Sequence, residues 1–269
     1  MVCGFSYSPR RVLISLLAKG AMAFLLVACG ATLNLPAHES LLVSAASNMM
    51  PAMEELGASY YQQTGRSVTF NFAASGQLAQ QIEQGAPVDL FISADVAYVQ
   101  ELAGKQRILP DTVQVYARGS LTLWTRADSS LDIESVQDLA RPDIRRVAIA
   151  NPEHAPYGKT ARQALQAAGV WQEVEPKLVL GENVRQTLQY AETGNVEVAI
   201  VPLSLSIDSG GRWKLIPEGL YSPLDQALGV VADSPHQAEA RDFAAFITGP
   251  QGQAVLSKLG YTFPAEAPP

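Results

Sequence analysis

From residue 41 to near the carboxyl end, apolar runs of strand length alternate with segments whose apolar positions fall three and four residues apart. Leu41, Leu42 and Val43 make a short strand that stops at Ser44-Ala45-Ala46-Ser47-Asn48. Met49, Met53, Leu56 and Tyr60 follow at helical spacing until Thr64-Gly65 closes the helix. The next unit repeats this device. An alternating strand over residues 69–72 breaks at Ala73-Ala74-Ser75-Gly76, and a helix then runs through Gln84. Gly85-Ala86-Pro87 turns the chain into a second strand, Leu90-Phe91-Ile92.

Val96, Val99 and Leu102 mark a further helix, after which Pro110 turns the chain. Residues 116–125 read as one long alternating strand, a crossing between two domains. Past an Asp- and Ser-rich loop, the pattern predicts a short helix around residues 136–139. A strand over 146–150 then stops at a loop over 151–158. A helix over 159–168, a strand over 178–180, a helix over 184–193 and a strand over 198–201 follow, the last ending at Pro202. After a strand over 213–216, residues 227–232 form a second candidate crossing, and helices over 237–248 and 252–259 finish the chain. Strands alternating with helices throughout imply an α/β chain with mostly parallel sheets. The two crossings divide it into a discontinuous first domain, residues 41–119 plus 228–269, and a second domain, residues 120–227.

Four strands end in small or polar loops that open a helix at once: at Ser47-Asn48, at Ser75, at Tyr157-Gly158 and at Asn183-Val184. Taken alone, Ser75 reads as a helix N-cap, as most such serines do. Repetition changes that reading. Helix N-termini carry unpaired N–H groups and a positive dipole end, and in open parallel sheets ligands sit beyond the strand carboxyl ends where such turns gather. Two turns precede the first crossing and two follow it, so a cleft between the domains aims four helix N-termini at one bound anion. No turn offers an aspartate, and only Glu153 and Glu182 are nearby acids. A fully deprotonated tetrahedral oxyanion needs donors only, whereas a protonated one needs an acceptor as well.

With 269 residues and 48% hydrophobic positions, the chain is long enough for two cores. Its first residues do not belong to either. Arg10-Arg11 precede an apolar run over 12–28, interrupted at Lys19-Gly20, which is the layout of an export signal, and residues 1–40 are assigned to leader and linker. Leu26-Val27-Ala28-Cys29 resembles the lipobox of bacterial lipoproteins, with Cys29 as the lipidated residue; the alternative is an ordinary signal cleaved within residues 31–40. Both cysteines, Cys3 and Cys29, fall here, so the mature chain has no disulfide and no thiol chemistry. Removing residues 1–28 takes away three basic residues and no acid, and net charge moves from −7 to −10. So acidic a chain is a poor nucleic-acid binder, and membrane contact is expected only through a lipid anchor.

The segments SAASNMMPAMEEL, FAASGQLAQQIEQGAPVDLFISAD, NPEHAPYGKTARQAL, GENVRQTLQYAETGNVEVAIV and DFAAFITGPQGQAVLSKLGYTFP are similar, in order and over nearly the whole mature chain, to the periplasmic molybdate-binding proteins of molybdate ABC transporters. That resemblance implies a two-domain type II periplasmic binding fold with molybdate or tungstate in the cleft. Ser47, with Asn48, and Ser75 are then expected to supply hydroxyl and backbone donors, and Tyr157 and Val184 backbone N–H groups. No side chain is expected to ligate the metal directly, and no cofactor is implied. The expected partner is an ABC transporter permease, the expected location the periplasm or the extracytoplasmic face of the bacterial cell membrane, and the expected state a monomer. The chain departs from the family at one point: Pro202 stands where many relatives place a tyrosine, and proline has neither hydroxyl nor N–H. The phenol of Tyr157 is expected to compensate.

Other candidates carry less chemistry. His154 beside Glu153 makes neither a metal site nor a triad, and reads as loop packing. Lys159 is either solvated or helps draw an anion to the cleft. Three alternative functions remain open at this point: a binding protein for another oxyanion such as sulfate, an exported serine hydrolase using Ser47 or Ser75, and a sensor domain that binds the anion without transport. Against the hydrolase, no Gly-x-Ser-x-Gly elbow or paired base is present.

Overall fold

The computed structural model describes Met1 and residues 40–263; the expected export signal and the lipidation position Cys29 lie outside the described residues. The chain opens with β1 (Leu41–Ala46), a 3-10 turn (Ser47–Met49) and α1 (Met50–Thr64). Gly65 ends α1 in the left-handed region (φ 72°) with its N–H on the Tyr61 carbonyl at 2.8 Å, a conformation that favours glycine. β2 (Val68–Ala73), α2 (Ser75–Glu83), β3 (Leu90–Ser93), α3 (Val96–Gly104) and β4 (Gln114–Gly119) complete the first run. The second run comprises β5 (Leu121–Thr125), β6 (Val147–Ala150), α4 (Pro156–Ala167), α5 (Trp171–Val174), β7 (Leu178–Gly181), α6 (Val184–Glu192), β8 (Val198–Pro202), α7 (Leu203–Ser206) and β9 (Arg212–Leu215). β10 (Leu224–Val230), α8 (Gln237–Thr248) and α9 (Pro250–Lys258) return to the first.

These elements form two five-stranded sheets, ordered β2-β1-β3-β10-β4 and β7-β6-β8-β5-β9, each the centre of one lobe. The first sheet is covered on both faces. In β3, Leu90 and Ile92 pack with Met53, Leu56, Phe243 and Leu256 from α1, α8 and α9, while Phe91 packs with Leu78, Ile82, Val99 and Leu102 from α2 and α3. Burial on both faces is why this strand reads as an unbroken apolar run. A separate core, with Ile149, Leu165, Leu188 and Val198, surrounds the second sheet.

Three expectations need correction. The sheets are mixed rather than mostly parallel: β1 runs parallel to β2 and β3, and β6 to β7 and β8, but β10 and β5 are antiparallel to both their neighbours. The single strand expected over residues 116–125 is two, broken at Ser120, whose carbonyl leaves strand pairing to accept the Leu203 N–H at 2.9 Å. Finally, α4 begins at Pro156, within the stretch expected as loop. Proline suits the first helical position, because its fixed φ is helical and that residue's N–H has no helical partner anyway.

Candidate functional site

The four sequence-predicted turns converge. β1 and β2 end at Ser47-Asn48 and Ser75 in the first lobe; the turns after β6 and β7 carry Tyr157 and Val184 in the second. All five residues line one small cavity, together with Ala46, Ala74 and Ala155 at the turns. Its volume is small, about 10 Å³. No charged side chain lines it among the described residues.

The local hydrogen bonding shows which donors at these turns are uncommitted. At α6, the Asn183 side chain caps the helix by accepting from the N–H groups of Arg185 (3.0 Å) and Gln186 (3.2 Å), which leaves the Val184 N–H without a protein acceptor among the described residues. At α4 the cap is Ala155, which has no side-chain acceptor; its carbonyl takes the N–H groups of Gly158 and Lys159, and Pro156 has none, so the Tyr157 N–H stays open. At α2, the Ser75 hydroxyl oxygen accepts from the Ala94 N–H at 3.0 Å, so its proton remains to be donated. The Ser47 hydroxyl, nearly buried, makes no hydrogen bond among the described residues. These are neutral donors without acceptors, gathered at helix N-termini where the dipole favours an anion.

Asn48 and Tyr157 meet the cavity differently from the serines. Asn48 Nδ2 donates to Gln226 Oε1 (2.9 Å) and to the Tyr261 hydroxyl (2.8 Å), so its side-chain donors are committed inside the protein. The Tyr157 phenol oxygen accepts from Gln226 Nε2 at 2.9 Å and lies against Gly119. Neither Gln226 nor Gly119 lines the cavity. Burial pushes the phenols of Tyr157 and Tyr116 well above their ordinary pKa, and that of Tyr261 up to about 12, so all three stay protonated. Sequence reading missed Gln226, Tyr116, Tyr261 and Ser204 around these two residues; they lie far apart in the chain and no motif joins them.

The lobes are closed over the cavity. The Gly76 N–H donates to the His154 carbonyl at 2.9 Å, Gln77 Nε2 to Glu182 Oε2 at 3.2 Å, and Lys159 Nζ to the Tyr98 hydroxyl at 3.0 Å, with the ammonium 5.0 Å from the ring centre. Lys159 therefore spans the cleft mouth rather than lining the site. His154 Nε2 stands 3.6 Å from the Glu182 carboxylate, beyond hydrogen-bond range. A larger cavity, about 650 Å³, lies at the starting ends of β1 and β3, and the Arg107 guanidinium on its wall is paired with Asp233 at 3.2 Å. Its buried Asp89 is already satisfied by the Leu42 N–H (2.7 Å) and the Ser234 hydroxyl (2.6 Å).

The family described as bacterial extracellular solute-binding protein matches residues 41–262. Over 247 residues the chain is 35% identical to the molybdate-binding protein ModA of Rhodobacter capsulatus, covering 91% of this chain and 96% of the relative. It is 30% identical over 258 residues to YvgL of Bacillus subtilis (strain 168), named as a candidate ABC transporter substrate-binding lipoprotein, with 92% and 97% covered. The fold superposes on the Azotobacter vinelandii periplasmic molybdate-binding protein with a TM-score of 0.80 at 28% identity, covering 84% of this chain and all (100%) of that one.

Proposed function

The chain belongs to the bacterial extracellular solute-binding proteins, and from that premise we propose that its solute is molybdate or tungstate, held by neutral donors and passed to an ABC transporter permease. Membership in a binding family sets aside the serine hydrolase. One observation carries the choice of a fully deprotonated oxyanion: the cavity collects the Ser47 and Ser75 hydroxyls and the Tyr157 and Val184 N–H groups, with no carboxylate to accept a proton. Each hydrogen bond to a charged group contributes about 1.5–3 kcal/mol. About five of them outweigh dehydration and leave micromolar or tighter binding, roughly −8 kcal/mol or beyond. Donors and dipoles, rather than countercharges, let an acidic protein hold an anion.

In this reading, Ser47, the Asn48 backbone and Ser75 act from the lobe built on the first sheet, to which β10 (Leu224–Val230) belongs. Tyr157 and Val184 act from the lobe built on the second, and the lobes hinge at the crossings. A lipid anchor at Cys29 would hold the protein at the extracytoplasmic face of the cell membrane; the lipobox-like Leu26-Val27-Ala28-Cys29 and the likeness to YvgL support it. Calorimetric titration of residues 41–269 with molybdate, tungstate, sulfate and phosphate in parallel tests the solute. One-to-one binding of the first two, with little heat from the others, is the expected result. Preference for sulfate, or silence from all four in a folded sample, would overturn it.

A further inference from the structure

Behind the cavity lies a buried polar cluster that the anion contacts do not explain. Gln226, on β10, is fully buried (0% exposed). Its Oε1 accepts from Asn48 Nδ2 at 2.9 Å and from the Tyr116 hydroxyl at 3.1 Å, and its Nε2 donates to the Tyr157 hydroxyl at 2.9 Å. Beyond it, the Tyr261 hydroxyl bonds the Asn48 carbonyl (3.1 Å) and the Ser204 hydroxyl (3.0 Å), and Ser204 Oγ donates to that same carbonyl at 3.1 Å. Asn48, Tyr116, Gln226 and Tyr261 belong to the first lobe; Tyr157 and Ser204 belong to the second.

A buried amide is costly unless its donor and acceptor are both matched, and here both are matched by groups on either side of the cleft. We propose that Gln226 is a positioning residue for anion capture, one amide that ties the turn carrying Ser47 and Asn48 to the helix start carrying Tyr157, so that closing the lobes and presenting the donors are one event. Opening the cleft parts Nε2 from Tyr157 and Ser204 from Asn48, and leaves polar groups of both turns without partners. A ligand that holds the turns together restores those bonds. The inference takes its ligand from the anion reading, but its geometry is independent of that reading.

Two substitutions separate positioning from packing. Gln226→Met keeps length and removes both hydrogen-bonding functions. Gln226→Glu keeps shape and makes the pattern depend on pH: a neutral carboxyl has an O–H for Tyr157 and a carbonyl for Asn48 and Tyr116, whereas a carboxylate only accepts, which forces the Tyr157 hydroxyl to turn and donate and buries a charge between the lobes. Burial raises that carboxyl's pKa, so the neutral form prevails at low pH. The titratable groups facing the position are the phenols of Tyr116, Tyr157 and Tyr261, all held protonated, while the neighbouring Asp225 is engaged with Arg118 at 2.6 Å.

The experiment titrates molybdate into residues 41–269 of the wild type and both variants at about pH 5.5 and about pH 9, which bracket the shifted range of a buried carboxyl. Spin labels on cysteines introduced at Gln84 and Arg185, one per lobe, report the lobe separation in the same samples. Wild-type affinity is expected to be flat. Gln226→Met should bind at least about tenfold more weakly at both pH values, and Gln226→Glu weakly at high pH only, recovering on acidification. Folded variants that bind as wild type at both pH values would overturn the inference and leave the anion reading intact. A wild type that ignores molybdate would overturn the solute reading alone. In that case a broader ligand-free lobe separation in Gln226→Met still supports the inference, and an unchanged one overturns it.

Discussion

The phenol oxygen of Tyr157 occupies the space that a β-carbon on Gly119 would need. A second-lobe tyrosine thus seats against the last residue of β4 only because that residue is glycine, and the same missing β-carbon leaves room for Gln226 Nε2. Gly119→Ala should therefore act on both stability and binding. Overpacking of this kind costs about 1–3 kcal/mol. The expected result is a lower denaturant midpoint together with molybdate affinity weakened by roughly tenfold or more, since Tyr157 carries one of the proposed donors. A variant with unchanged affinity would mean that the Tyr157 turn is placed independently of its phenol.

Gly76→Ala separates closure from folding. A β-carbon there would come within 2.8 Å of the His154 carbonyl oxygen and 2.9 Å of the Tyr98 hydroxyl, contacts belonging to the closed cleft mouth. In α2 itself alanine is the better helix former by about 0.8–1 kcal/mol. Thermal unfolding without ligand should stay level or rise, while titration shows weaker binding, by about tenfold for each 1.4 kcal/mol of closure lost.

The donor proposed at Val184 is backbone, so the side chain is the wrong target. Val184→Ala should change affinity little. Val184→Pro deletes the N–H at the first position of α6, where proline is tolerated, and the preceding Asn183 is already extended (φ −153°, ψ 176°), as a residue before proline must be. Ser47→Ala and Ser75→Ala remove hydroxyl donors. Each of these three variants should lose about 1.5–3 kcal/mol of binding to a charged ligand, read by calorimetry. Serine variants that bind normally would remove the hydroxyls from the account.

Much of this arrangement was legible before any coordinates. The small-residue turns at Ser47, Ser75 and Val184 announced themselves because a strand that stops and starts a helix leaves a local signature. Tyr157 was found with its helix start hidden, since Pro156 resembles a loop residue until its neighbours are helical. β10 hid more thoroughly. Its first residues include Asp225 and Gln226, which break the apolar run that marks a strand. Asp225 is tolerated because it faces Arg118 across the ladder and pairs with it at 2.6 and 2.9 Å. Gln226 is tolerated because Asn48, 178 residues earlier, answers its carbonyl. Partners so distant in sequence leave no periodicity to read. The phenol of Tyr157, expected to compensate for Pro202, has such a distant partner too: its oxygen accepts from Gln226 Nε2 at 2.9 Å.

The buried phenols predict an alkaline limit. Tyr261 has its pKa raised from 10.0 to about 12, chiefly by burial. Its contribution to stability is therefore complete below pH 10, declines as the unfolded chain ionises first, and is lost by about pH 12. Unfolding midpoints should be level through neutral pH and fall above pH 10, and Tyr261→Phe should flatten that fall while lowering the neutral midpoint. A Tyr261→Phe profile parallel to wild type would place the alkaline transition elsewhere.

The most direct test of the account is the location of the metal. Anomalous scattering at the molybdenum edge, from crystals of residues 41–269 grown with molybdate, should show a single peak between Ser47, Ser75, Tyr157 and Val184, with only oxygens between metal and protein. A peak in the 650 Å³ cavity beside Arg107, or none in crystals whose cleft is closed, would contradict it.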